Sequence, residues 1–250
     1  MHVLAVHSLK GGVGKTAAAV NLGYLAAASG RRVLLWDLDP QAASTFYLRV
    51  KPAAGGARRI LRGKRDLEPL IRASDYERLH LLPARFSFRH ADAELARQLD
   101  PGRQFRKLIR PFEKDYDLLL FDCAPGFTTL RESVLAASAH ALVPVIPTPL
   151  SLRALQAVCE HLNDQKGPTV QPFFSMVDRR KLMHRSITGT PESLARLPLD
   201  SMIPYASQVE QMGRYRAPVH TFAGGCAAAR AFASLWNEVE ALLSHSAPVT

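Results

Sequence analysis

Cysteine is scarce in this chain: three among 250 residues, Cys123, Cys159 and Cys226. They are too scattered for a disulfide framework or a CxxC ligand set, a usage that suits a reducing cytoplasm. Nine histidines show neither HExxH nor any paired-ligand spacing, so a zinc centre is not expected. A long apolar run is also missing. The longest uncharged stretch, 133–152, has the length to span a bilayer, but Pro144, Pro147, Pro149 and His140 interrupt it. It reads instead as a helix end, a buried strand and a loop, and no transmembrane segment is expected. The opening MHVLAVHSLKGG lacks the basic start and the apolar length of a signal peptide. Acidic residues are in deficit, with 22 Asp and Glu against 32 Lys and Arg, for a net charge of +10. Such an excess favours nucleic acid, anionic lipid or a phosphorylated ligand, with a merely solubilising surface as the competing explanation.

What is present describes a folded α/β protein. Hydrophobic residues make up 47% and charged residues 22%, which excludes a wholly disordered chain. Short apolar runs read as strands at 2–8, 33–37, 78–84, 117–122, 141–147, 170–177 and 201–205. Helices fit at about 15–29, 91–99, 103–113, 128–138, 150–165 and 225–245, the first closed by Gly30. Near-continuous apolar strands separated by helices indicate a mostly parallel twisted sheet covered on both faces, a three-layer sandwich. One domain over 1–250 is expected, with 51–56 as a loop and 244–250 as a frayed tail. The basic excess is local: 51–115 holds sixteen basic and nine acidic residues, including Arg58, Arg59, Arg62, Lys64 and Arg65, then Arg103, Arg106, Lys107 and Arg110 at helical spacing. Arg85, Phe86, Phe88 and Arg89 form a basic–aromatic stretch that fits a nucleic-acid patch or a half-buried strand equally well.

The most specific pattern is a strand, then SLKGGVGKT, then a helix. Gly11, Gly12 and Gly14 permit close backbone approach to an anion, and the helix that follows adds its positive end. Lys15 is placed to neutralise β- and γ-phosphates, and Thr16 to ligate Mg2+. The general G-x-x-x-x-G-K-[ST] pattern is not met, because Leu9 stands where its first glycine belongs; a second lysine, Lys10, precedes the glycines. Asp37 and Asp39 lie in LLWDLDPQ at the end of the second strand. Asp122 ends YDLLLFD, the arrangement by which a strand-end carboxylate holds Mg2+ through water, with a helix cap as the alternative.

SLKGGVGKT, WDLDPQAAS and YDLLLFDCAPG, in this order, resemble the ParA/MinD family of deviant-Walker P-loop ATPases. VPVIPTPLSLRAL and SMIPYASQVEQMGRYRAPV are similar too, so the resemblance extends over nearly the whole chain. Leu9 and Ala17 replace the family's usual Gln and Thr, departures that bear on exchange or hydrolysis rate. The resemblance implies a P-loop NTPase-type fold and a slow, partner-stimulated, Mg2+-dependent ATPase. ATP would lie against Lys10, Gly11, Gly12, Val13, Gly14, Lys15, Thr16 and Ala17. Lys10 would reach across an ATP-sandwiched homodimer to the partner's phosphates, with Lys15 and Asp39 also catalytic and Asp39 orienting the attacking water. Thr16, Asp37 and Asp122 would serve Mg2+.

The resemblance implies a cytoplasmic, nucleoid-associated partition or positioning protein that binds nonspecific DNA and responds to a cargo adaptor or a stimulating partner. Arg179, Arg180, Arg214 and Arg216 are the candidate DNA contacts, and 173–185 is similar to orphan, cargo-positioning members, including those of carboxysome type. Two other classes compete. A MinD-like membrane-cycling ATPase would need a basic amphipathic C-terminal helix, yet AFASLWNEVEALLSH carries Glu238 and Glu240 and no Lys or Arg after Arg230. A nitrogenase-reductase-like enzyme would need cysteines for a shared cluster, and Cys123 has no second cysteine in a comparable loop. Cys123, Trp36 and Trp236 are therefore expected to pack in the core.

Overall fold

The computed structural model describes residues 1–51, 67–84, 100–126, 128–163 and 167–246. The basic cluster 58–65, the stretch 85–89 and the helix expected at 91–99 lie outside these residues. Eight strands form one sheet: β1 (His2–Val6), β2 (Val33–Asp37), β3 (Arg72–Ala73), β4 (Leu79–Leu82), β5 (Leu118–Asp122), β6 (His140–Val145), β7 (Thr169–Val177) and β8 (Met202–Pro204). Their order is β3-β4-β2-β5-β1-β6-β7-β8, and every pair is parallel except β3 with β4.

The strands are apolar throughout because each face of the sheet has its own helical cover. Val3, Ala5, Leu34, Trp36, Leu119 and Phe121 share one core. It is completed by α3 (Pro101–Ile109), α4 (Thr129–Ala136) and α5 (Pro149–Asn163). Alternate residues Leu4, Val6, Val33, Leu35, Leu118 and Leu120 enter the other core. There α1 (Lys15–Ala28) and α10 (Ala227–His245) cover them. The two-residue period of a strand thus divides one apolar run between two layers. Trp36 is fully buried with Phe105 stacked on it at 5.6 Å, and Trp236 is buried against α1's side of the sheet, so both pack as expected.

Five further α-helices, none longer than eight residues, belong to the described fold: α2 (Ala43–Tyr47), α6 (Leu182–Gly189), α7 (Ser207–Glu210), α8 (Met212–Tyr215) and α9 (Val219–Ala223). The sequence pattern does not mark them; α2, α7, α8 and α9, of four or five residues, are too short to show a period. Gly30 takes φ 101° just past Ser29, which caps α1, the left-handed stop expected of it. In α3, Phe105 and Ile109 are buried while Arg103, Arg106, Lys107 and the following Arg110 are exposed, so this basic group does share an outer face. β1 lies between β5 and β6, and the chain leaves it towards β2 on one side and reaches β6 on the other. That reversal opens a crevice at the carboxyl ends of the strands, where α/β sheets bind ligands.

Candidate nucleotide and metal site

Three strand ends meet at this crevice. Val6 pairs with Asp122, and Asp122 pairs with Asp37, so register alone sets the glycine loop beside two carboxylates. The loop is anchored by His7 N–H donating to Leu142 O at 2.9 Å and Cys123 N–H to Val6 O at 3.3 Å. Gly12 and Gly14 adopt φ 69° and 94°, and a Cβ at Gly14 would stand 2.9 Å from Ser175 Oγ. Nothing lies within 4 Å of where a Cβ would project at Gly11 or Gly12. α1 begins after Gly14 with no side-chain cap and no acidic residue in its first turn, leaving its N–H groups and dipole directed at the loop.

Lys15 is buried, and its Nζ donates to Lys10 O at 3.1 Å. Burial holds the ammonium below its ordinary pKa, opposed by the carboxylates of Asp122 and Asp39. Lys10 Nζ donates to Ser151 Oγ at 3.4 Å, at the start of α5. Asp37 and Asp122 are fully buried. Burial raises Asp37 to about 6 against hydrogen bonds from Thr45 and Asp39 N–H. Burial followed by the charge of Asp37 raises Asp122 to about 7, opposed by the hydroxyls of Ser44 and Thr16.

Two residues that the motifs do not single out hold these acids. Ser44 Oγ donates to Asp122 Oδ2 at 2.8 Å. Thr45 donates to Asp37 Oδ2 twice, from its N–H at 2.8 Å and its hydroxyl at 2.7 Å. The signal for them was slight: Ser44 ends the stretch WDLDPQAAS and Thr45 follows it. Asp39 is partly buried; its N–H donates to Asp37 Oδ1 at 3.1 Å and its Oδ1 accepts from Gln41 N–H at 2.9 Å. The helix-cap alternative for Asp122 does not hold, since α4 is capped by Thr128. Buried Arg131 was also missed: its Nη2 donates to Pro125 O at 3.0 Å, in the loop that follows Asp122. Cys123 is a core residue whose thiol burial pushes up to about 12.

A family model described as an AAA domain, AAA_31, matches residues 1–171. The chain belongs to this family. It is a ParA/MinD-like P-loop ATPase, and its relatives agree. It is 28% identical over 244 residues to the chromosome-partitioning ATPase Soj of Treponema pallidum (strain Nichols), covering 93% of this chain and 94% of that one. The sporulation initiation inhibitor protein Soj of Bacillus subtilis (strain 168) is 33% identical over 145 residues, which span 57% of each chain. Among solved structures, the septum site-determining protein MinD of Pyrococcus horikoshii OT3, complexed with Mg-ADP, superposes with a TM-score of 0.79 at 22% identity, covering 97% of both chains. That likeness concerns the fold.

The residues of this ATPase fit a nucleotide and a divalent cation. Asp122 Oδ1 is buried and accepts no hydrogen bond, an orphan acceptor beside a second buried carboxylate and the Thr16 hydroxyl. The Gly11–Gly12 turn leaves open space over the loop.

The four arginines considered for DNA fall into two groups on different elements. Arg179 is exposed, whereas Arg180 is bound by both oxygens of Asp178 at 2.9 and 3.0 Å, a pairing that pulls Asp178 down to about 2. Arg214 lies over the Tyr215 ring at 5.9 Å and Arg216 over the Phe46 ring at 4.6 Å. Among the described residues no carboxylate pairs with Arg179, Arg214 or Arg216. No helix among them is long and apolar enough to cross a membrane.

Proposed function

We propose that this chain is an ATP-hydrolysing partition or positioning protein, working as one domain that dimerises on ATP, binds nonspecific DNA and moves or spaces a cargo through an adaptor or stimulating partner. The observation that carries the reading is the meeting of the two-lysine glycine loop with Asp37 and the orphan oxygen of Asp122 at three adjacent strand ends. Lys15 and the loop N–H groups hold the β- and γ-phosphates, with Lys10, Gly11, Gly12, Val13, Gly14, Thr16 and Ala17 completing the nucleotide contacts. Thr16, Asp37 and Asp122 hold Mg2+, which when bound neutralises phosphate charge. Asp39 orients the attacking water by hydrogen bonding; a strong base is not required, because phosphoryl transfer depends mainly on positioning and charge stabilisation. Lys10 leaves Ser151 to reach the partner's phosphates in the dimer.

DNA contact runs through phosphates, with Arg179, Arg214, Arg216 and, after loss of its Asp178 partner, Arg180 as contacts. Binding therefore weakens steeply with salt. A membrane-cycling role is disfavoured because Leu235, Trp236, Val239 and Leu243 of α10 are buried on the sheet and not offered to lipid. The test joins light scattering to DNA filter binding across a salt series, with ATP and Mg2+. Wild type dimerises and binds DNA; Asp39→Ala accumulates as the ATP dimer; Lys15→Ala does neither. A monomer in ATP with Lys10 intact refutes the sandwich, and salt-insensitive or absent DNA association refutes the partition role. A fluorescent fusion observed in its own cell is expected on the nucleoid within the cytoplasm.

A further inference from the structure

Helix α2 is five residues long, too short to be stable by itself, so what grips its ends decides where it sits. At one end Ser44 and Thr45 hold Asp122 and Asp37. At the other, Arg49 donates from Nη2 to Tyr215 O at 2.7 Å and from Nε to Arg216 O at 3.2 Å. Arg216 reciprocates, its Nε donating to Phe46 O at 3.0 Å while its guanidinium covers the Phe46 ring. Phe46 directly follows Thr45, so only one peptide bond separates the clasped carbonyl from the residue that holds Asp37.

The backbone is strained at three points of this arrangement. Ala42, Arg49 and Arg216 take φ values of 55°, 57° and 49°, left-handed conformations adopted by three residues with side chains. Such conformations persist where surrounding contacts over-determine them, and they gather at sites where position matters.

We propose that α2 is a strut, and that Arg216 is a positioning residue for the Mg2+-binding acids, acting through Phe46, Thr45 and Ser44. The clasp fixes α2, α2 fixes two hydroxyls and one N–H, and these fix which way the two buried carboxylates face. The proposal rests on the reading of Asp37 and Asp122 as a Mg2+ site. It has a reciprocal consequence: a polyanion that draws the Arg216 guanidinium off Phe46 changes Mg2+ affinity at the strand ends, as linkage requires.

The test is a titration with a fluorescent ATP analogue, in Mg2+ and again in EDTA, on purified full-length protein. Arg216→Gly removes the guanidinium's half of the clasp, its bond to Phe46 O and its cover of the ring. It leaves the Arg49 bonds to the Tyr215 and Arg216 carbonyls in place and relieves the left-handed strain at 216, so it keeps the fold. It is expected to weaken Mg2+-dependent binding about tenfold, the size seen when partners of metal ligands are lost, and to leave binding in EDTA unchanged. Phe46→Leu, which spares the backbone carbonyl but removes the ring, is expected to weaken it by less. Ser44→Ala is expected to match Arg216→Gly, and the double variant to lose no more than either single one, because both act on one path. Wild-type affinity of Arg216→Gly in Mg2+, an equal loss in EDTA, or simple additivity in the double variant overturns the strut while leaving the nucleotide site standing. Failure of the wild type to bind the analogue, or undiminished binding by Lys15→Ala, overturns both.

Discussion

Replacing Thr45 by valine removes one hydroxyl and leaves the side chain's shape almost unchanged. Thr45 is 3% exposed, so neither a cavity nor a new surface forms. Its hydroxyl donates to Asp37 Oδ2 at 2.7 Å and accepts from Ala84 N–H at 2.9 Å. A hydrogen bond to a charged group is worth about 1.5–3 kcal/mol, and a stranded buried N–H costs about 1–3 kcal/mol. The two losses share one atom and overlap, so Thr45→Val is expected to destabilise the chain by about 2–4 kcal/mol at pH 7.5. Thr45→Ser keeps both bonds and gives up one buried methyl, a cost of about 0.8 kcal/mol.

Urea unfolding of the three proteins measures the difference. With a slope of about 2–3 kcal/mol per molar, the valine midpoint falls by about 1 M and the serine midpoint by less than half as much. A valine variant within about 1 kcal/mol of wild type, inside the usual range for a net hydrogen bond, refutes the claim that this hydroxyl holds the acid. A serine variant as unstable as the valine variant shows that packing, not hydrogen bonding, is at stake.

Gly14→Ala forces a Cβ into a φ of 94° and to 2.9 Å from Ser175 Oγ, so a loss of about 1–2 kcal/mol in thermal unfolding is expected, with weakened nucleotide binding; an unchanged melting curve contradicts it. Asp122 protonates near 7 when folded and near 3.8 when unfolded, so its contribution to stability is present below 3.8 and is lost as pH rises through 7. Acidification from pH 8 to 5 therefore stabilises wild type relative to Asp122→Asn, by up to about 1.4 kcal/mol per pH unit below 7, and a flat or reversed difference in urea melts would rule this out. His7 acts in the opposite direction. Burial, aided by Arg131 and Lys15, holds it near 3, so wild type should lose about 2 kcal/mol between pH 6.5 and 5 relative to His7→Gln, as unfolding melts at the two pH values would reveal. The Arg32–Asp117 pair is bidentate at 2.8 and 3.2 Å but lies exposed, so Asp117→Asn should cost no more than about 1 kcal/mol and less in high salt.

The layered sheet was legible in the sequence because its strands are buried on both faces, which turns them into compact apolar runs such as VLLWD and LLLFD. The phosphate loop was legible because glycine and lysine spacing there answers to a ligand rather than to packing. The short helices were not. Nothing local distinguishes ASTFY as a helix, since α2 is made by contacts with Asp37, Asp122 and residues 215–216. The roles of Ser44, Thr45 and Arg216 depend on partners up to 170 positions away, and no periodicity carries that information. Arg216 illustrates the limit well. Read along the chain it is one more basic residue available to DNA; folded, it is also a clasp on Phe46.

The bare electrostatics of the site give the assignment its physical sense. Two carboxylates at adjacent strand ends and one ammonium at the start of α1 are buried, and burial disfavours the charge on each: the acids rise and the lysine falls. The compensation supplied by the chain is partial and uneven. Asp37 receives three hydrogen bonds, and its pKa stops near 6; Asp122 receives fewer, keeps one orphan oxygen, and reaches about 7. A structural ion pair would favour closer balance, because an uncompensated buried charge is costly. Two buried acids that are both raised by desolvation are instead matched by a divalent cation arriving with a polyanion, the cation answering the carboxylates and the phosphates answering Lys15, the loop N–H groups and the α1 terminus. The less compensated acid is also the one nearer the glycine loop, since Asp122 pairs with Val6 of β1 and Asp37 lies one strand further out. The site is therefore arranged so that its greatest electrostatic deficit lies where the metal and the phosphates would meet.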